Sequence, residues 1–162
     1  MRRALTPALV VLVAVLALVT WRVEQSLAAA RAAAGDREAA MRAASGHAVS
    51  LMSLSHRTVD DDMRRVLATS TGQERAEYAR NEADLKAAAL RTKVVQTGVL
   101  RASALASFDA ARRTAEVLVI GDAVVHWEDG KKAAPEERFF RWRMRVTEVS
   151  GQWLVATSER VQ

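Results

Sequence analysis

From Ala8 to Val19 the chain runs twelve residues without one polar side chain. A small α+β core has no place for such a stretch on a single helix, so this segment sets the topology of everything after it. Two kinds of segment have this pattern. A cleaved signal peptide needs a small-residue site soon after the apolar run. Here the first such site, Ala28-Ala29-Ala30, lies nine residues beyond Val19. The alternative is an uncleaved anchor, and Leu5–Trp21 gives 17 residues, or ~25 Å of helix at ~1.5 Å per residue. Trp21 would sit at the interface, where indoles are enriched. Pro7 falls in the first turn, where a missing N–H costs little. The sequence therefore predicts a membrane anchor over 5–21. Arg2 and Arg3 hold residues 1–4 in the cytoplasm, and the bulk lies outside as a single-pass cell-membrane protein.

The rest is sized for one domain: the whole chain has 162 residues and no Cys. Without Cys there is no disulfide framework, zinc ribbon, iron–sulfur site or thiol nucleophile. The net charge of +5 comes from 20 Arg and 4 Lys spread along the chain. A nucleic-acid binder would concentrate that charge on one element, so nucleic acid is not expected as a partner.

Residues 22–45 are rich in Ala, Arg and Glu. Ala is the best helix former, but large apolar residues are nearly absent, so the segment reads as a solvated helical stalk. A domain follows over 46–162. Val49, Leu51, Met52 and Leu54, then Val59, Met63, Val66 and Leu67, recur at helical spacing. The first helix should end near His56. Thr58-Val59-Asp60-Asp61 fits a capping box opening the second helix, which stops at Thr71-Gly72. A third spans about Gln73 to Ala89.

After Arg91 the texture turns to strand: Val94–Ala106, Arg113–Trp127, Arg138–Val149 and Gln152–Arg160. In the third of these, Phe140, Trp142, Met144 and Val146 face one way and Arg141, Arg143, Arg145 and Thr147 the other. Trp153 and Val155 share a face in the last. Three helices followed by antiparallel strands predict an α+β domain, with the helices on one face of a curved sheet.

This order resembles the cone-shaped fold of nuclear transport factor 2. With its anchor and stalk, the chain is similar to the Mce-associated membrane proteins. The residues that carry the likeness are Leu51…Ser55 leading to Arg57-Thr58-Val59-Asp60-Asp61-Asp62, then Thr69-Ser70-Thr71-Gly72 with Tyr78, and the ending Arg143-x-x-Val146…Gly151-x-Trp153-x-Val155. Where that family often has an aromatic two residues after the helix-stopping Gly, this chain has Glu74. Where it often has Asn in the second strand region, this chain reads Gly121-Asp122. The resemblance implies a non-catalytic accessory protein that supports an Mce-type lipid-import complex, with its subunits or permease as partners.

The chemistry on offer is sparse. His56 and Asp60 are four apart and could form a base with an orienting carboxylate, but the capping box separates them. His126 lacks the partners a metal site needs. No catalytic residue, metal or cofactor is expected. Arg141, Arg143 and Arg145 should line one strand face ~6.8 Å apart and suit a partner's acidic groups or lipid phosphates. Leu51, Tyr78, Val117, Val119, Trp142, Met144 and Trp153 are the candidate lining of a pocket inside the cone. Other readings are a small ligand-binding or lyase-like enzyme of the same fold, or a scaffold of a secretion-type envelope assembly. The oligomeric state is left open.

Overall fold

The computed structural model describes residues 2–128, 130 and 134–161, with side chains from Leu16 onward. The elements run α1 (Arg2–Met52), β1 (Leu54–Ser55), α2 (Val59–Ala68), α3 (Gly72–Thr92), β2 (Val94–Asp109), β3 (Thr114–Trp127), β4 (Glu136–Val149) and β5 (Gln152–Arg160). They form two compact units, Met1–Asp36 and Arg37–Gln162.

The first unit is helical. The Thr20 hydroxyl donates back to the carbonyls of Leu16 and Ala17, so the helix satisfies its own polar side chain. Leu16, Leu18, Val19, Trp21, Val23 and Leu27 are exposed. Among the described residues no helix is long and apolar enough to cross a membrane. The expected anchor Leu5–Trp21 lies largely outside the described residues, since side chains 5–15 are not among them.

In the second unit three helices pack on a curved antiparallel sheet, the α+β arrangement that the sequence predicts. Strand order is β1-β2-β3-β4-β5. The ladders slip between Leu100 and Ala102 and between Leu105 and Ser107 in β2, and between Val155 and Thr157 in β5, opposite Val146 and Arg145. Each slip is a bulge, and bulges bend a strand and increase its twist. They also explain why β2 shows no clean alternation in sequence. Its core-facing positions change parity twice.

The first helix departs from expectation at both ends of its second half. Ala40, Ala44 and Ala48 are fully buried. At a spacing of four they form one stripe, so the last part of the Ala-rich segment is core and not solvated stalk. Lack of bulk is what lets the helix lie close to the sheet. The helix also ends at Met52 instead of near His56, because the Gln96 side chain takes the Met52 carbonyl (2.7 Å) and Leu54–Ser55 leaves to pair with β2.

The predicted capping box does not form either. Thr58 makes no side-chain bond to the helix backbone. Its hydroxyl donates to Asp62 Oδ2, which also accepts the Ser55 N–H, both at 2.9 Å. Buried Asp62 thereby ties β1 to the start of α2, while Asp60 and Asp61 pair with Lys86 and Arg64 on the surface.

Met52 closes the concave side of the sheet. A Cβ on Gly121 would lie 2.5 Å from Met52 Cε, and one on Gly98 would run into Met52 Cβ with the Met52 backbone 3.1 Å away. Gly98→Ala is therefore expected to destabilise by about 1–3 kcal/mol, the cost of overpacking. Gly46, inside α1 with open space around it, should behave oppositely, gaining about 0.5–1 kcal/mol on Gly46→Ala. Chemical denaturation of the full chain in detergent, followed by near-UV circular dichroism, reads both signs in one series.

Candidate functional site

The seven residues predicted to line a pocket do not come together as one. Val117, Val119, Trp142 and Met144 point inward from β3 and β4 and are buried in one cluster with Ala44, Ala48, Met52, Val146 and Val155. Leu51 and Trp153 pack against its margin. Trp153 also lies near Phe108, ring centroids 5.9 Å apart, with the Arg113 guanidinium 5.4 Å from its ring centroid. Tyr78 belongs to a second cluster with Val59, Met63 and Ala89, between α2 and α3. Burial pushes the Tyr78 hydroxyl above its ordinary pKa, and the charges of Glu82 and Asp62 push it further.

What the interior does contain is a polar knot that the sequence did not single out. His47, on the buried stripe of α1, is fully enclosed. Its Nδ1 lies 2.7 Å from Thr69 Oγ1, at the C-terminal cap of α2, and its Nε2 lies 3.4 Å from Glu74 Oε1, in the first turn of α3. The Ser158 hydroxyl of β5 donates to Glu74 Oε2 at 2.7 Å. A carboxylate only accepts, so Nε2 carries a proton toward it. Three helices and the last strand are thus joined through one imidazole and one carboxylate. Ser158 faces inward because Ala156 is left unpaired at the β4–β5 bulge, which sets Ser158 opposite buried Met144. The signal available in sequence was Glu74 itself, charged where the resembled family often carries an aromatic.

The other candidates sit at the surface. His56 and Asp60 do not form a dyad: His56 Nε2 is 2.8 Å from Glu128 Oε2, and Asp60 pairs with Lys86. Arg57 Nη2 donates to both Glu128 oxygens, at 2.8 and 2.9 Å. The hydrogen bond from His56, then Arg57, hold the Glu128 carboxyl below its ordinary pKa. A cleft of about 400 Å³ beside this group is lined by His56, Arg57, Asp60, Asp61, Arg64 and Lys86, among others. His126 is exposed on β3. Among the described residues no group of three His, Cys, Asp or Glu is placed to hold a metal ion. Arg141, Arg143 and Arg145 line the exposed face of β4, as the alternation predicts.

Residues 3–162 match the family described as "Uncharacterized protein Rv1363c/MT1408-like". The chain belongs to the Rv1363c/MT1408-like family. It is 31% identical over 113 residues to "Uncharacterized protein Rv1363c" of Mycobacterium tuberculosis, covering 70% of this chain and 42% of that relative. The chain thus spans about two fifths of the length of the curated relative it matches. Among solved structures it is similar to an IcmL-like type IV secretion system protein from Legionella pneumophila, with TM-score 0.53, 11% identity, and 75% and 91% of the two chains covered. It is also similar to the beta subunit of benzoate 1,2-dioxygenase from Burkholderia mallei, with TM-score 0.50, 10% identity, and 65% and 81% covered. Identities this low speak for the fold alone. The neighbours are of nuclear transport factor 2-like fold and include both enzymes and non-enzymes.

In this member of the Rv1363c/MT1408-like family the knot has a definite electrostatic sign. Burial opposes ionisation of Glu74, but the hydrogen bonds from His47 and Ser158 and the charge of His47 outweigh it, leaving its pKa below the ordinary value. A carboxyl lowered on folding adds stability at pH values above its unfolded pKa. That stability drains away as the pH falls through the folded value. Glu74→Gln should therefore flatten the acid limb of the stability–pH curve. Glu74→Ala, which leaves buried His47 without one partner, should cost about 1–3 kcal/mol at neutral pH. Urea unfolding of the full chain in detergent between pH 3 and pH 7 measures both.

Proposed function

We propose that the chain is a non-catalytic, membrane-anchored accessory protein of the cell envelope that supports assembly or stability of an Mce-type lipid-import complex. The observation that carries the non-catalytic part is the filled concavity. Met52 is seated against Gly98 and Gly121, and Val117, Val119, Met144 and Val146 are buried behind it. An interior packed this way supports a domain that acts through its outside. The exposed apolar side chains from Leu16 to Leu27 support an anchor continuing from the earlier apolar run. Lipid import is the finer part of the reading and rests on the motif resemblance given above. The likeness in fold to a type IV secretion system protein fits the same accessory role in a different envelope assembly.

A second reading draws on the cleft beside His56. There a His–carboxylate pair, His56 with Glu128, borders a polar hollow of about 400 Å³, the minimal arrangement for a general base with an orienting acid. A small ligand-binding or lyase-like enzyme would use that hollow and not the interior.

The full-length protein, purified in mild detergent from its native membrane, should bring Mce subunits or their permease with it. Deleting Leu5–Trp21 should release them. Recovery of secretion or other envelope components instead would keep the scaffold and end the lipid-import assignment. A homogeneous protein carrying a small bound molecule would overturn the accessory reading in favour of the cleft.

A further inference from the structure

The outer face of the sheet sets an apolar row against a cationic one. Across β3 and β4, Leu118 is opposite Arg143, Ile120 opposite Arg141, and Glu116 opposite Arg145. A sheet with one solvated face ordinarily keeps its apolar side chains on the other. Here Leu118 is 38% exposed and Ile120 45%, and Phe139, at the end of the Arg row, is 73% exposed.

The arginines differ from their neighbours. Among the described residues Arg57, Arg64, Arg65, Arg101, Arg113 and Arg138 each hold a carboxylate. Glu148 and Glu136 lie at positions of the other parity on β4 and are held by Arg113 and Arg138. Arg141, Arg143 and Arg145 make no ion pair within that set. Three unclaimed guanidinium forks, ~6.8 Å apart, lie beside a strip of exposed aliphatic side chains.

We propose that this face docks a protein partner presenting a row of carboxylates beside apolar side chains, with Arg141, Arg143 and Arg145 taking the carboxylates and Leu118 and Ile120 the apolar strip. The inference rests on the accessory reading above and says which surface carries it. Each guanidinium can grip a carboxylate through two parallel N–H donors. Carboxylates two residues apart on an extended strand repeat at the same ~6.8 Å. The acids on this face decide between a protein and an anionic membrane. Glu116 opposes Arg145, and Glu159 opposes Arg143 from the other side. A uniformly anionic lipid surface would press against both, whereas a protein surface can answer them with a cation and so fix the register.

A photoreactive benzoyl-phenylalanine placed at Ile120 of the full chain in its native membrane tests this. The same group at Leu85, exposed on α3, is the control, and a second version at Leu118 guards against a folding defect. The expected product is an adduct with a different protein whose trapped peptide carries acidic residues at alternate positions. Its yield should fall at least tenfold when all three arginines are changed to Glu, the scale of losing charge pairs at an interface, and should fall less on Arg→Lys, which keeps the charge but not the paired donors. An adduct with lipid, an adduct with a second copy of the chain, a yield equal to that at Leu85, or indifference to the Glu changes would each overturn the proposal. If partners co-purify with the chain yet neither position traps them, the docking face is wrong and the accessory reading stands.

Discussion

The second unit depends on how closely the end of α1 approaches the sheet. Ala40, Ala44 and Ala48 leave the helix narrow along one side, and Gly98 and Gly121 leave the sheet hollow where the helix ends. Removing side chains from both partners brings the backbones together, and Met52 fills what remains. The bulges of β2 and β5 supply the curvature that wraps the sheet around this contact. Once α1 is seated, His47 is carried to full burial. Thr69, Glu74 and Ser158 then have a common polar group around which α2, α3 and β5 assemble. Apolar packing thus sets the distance between the layers, and the polar knot sets their rotation.

Inside and outside have different chemistries as a result. The interior is apolar apart from groups that are all paired, and among the described residues no buried side-chain nitrogen or oxygen lacks a hydrogen-bond partner. That is the composition of a rigid support. The outer sheet face has the reverse character, with aliphatic groups in solvent beside guanidinium groups that make no ion pair among the described residues. A surface of this kind is expensive in isolation and becomes favourable when covered, which is how accessory domains of the proposed kind would hold to an assembly.

Much of this architecture was legible in the sequence because it follows from local rules. Period-2 alternation in Arg138–Val149 separates Trp142 and Met144 from the arginines correctly, because β4 itself carries no bulge. Gly72 and the Ser150-Gly151 turn mark element boundaries. Four features were not legible, each because it depends on contact between distant segments. The Ala stripe looked like a solvated stalk, since burial of small residues leaves no signature in hydrophobic bulk. Spacing alone points to Asp61 for the cap of α2, whereas Asp62 is selected by the Ser55 N–H of β1. Tyr78 was assigned to the cone interior, but α3 turns it toward α2. Glu74 and His47 are 27 residues apart, and no periodicity connects them.

The bulge in β5 gives the strand slack. Val155 faces Val146 and Thr157 faces Arg145, with Ala156 left over between them. A straight ladder from Val155 would turn Thr157 toward the core and Ser158 out beside Arg143, severing the link to Glu74. Because the extra residue is looped out, the apolar half of the strand and the hydrogen-bonding half are phased independently. Loss of one residue at this point would merely straighten the strand and leave both halves facing as they do now. The same loss between Thr157 and Arg160 has no slack to draw on. The chain length of β5 is therefore free at its middle and fixed at its end.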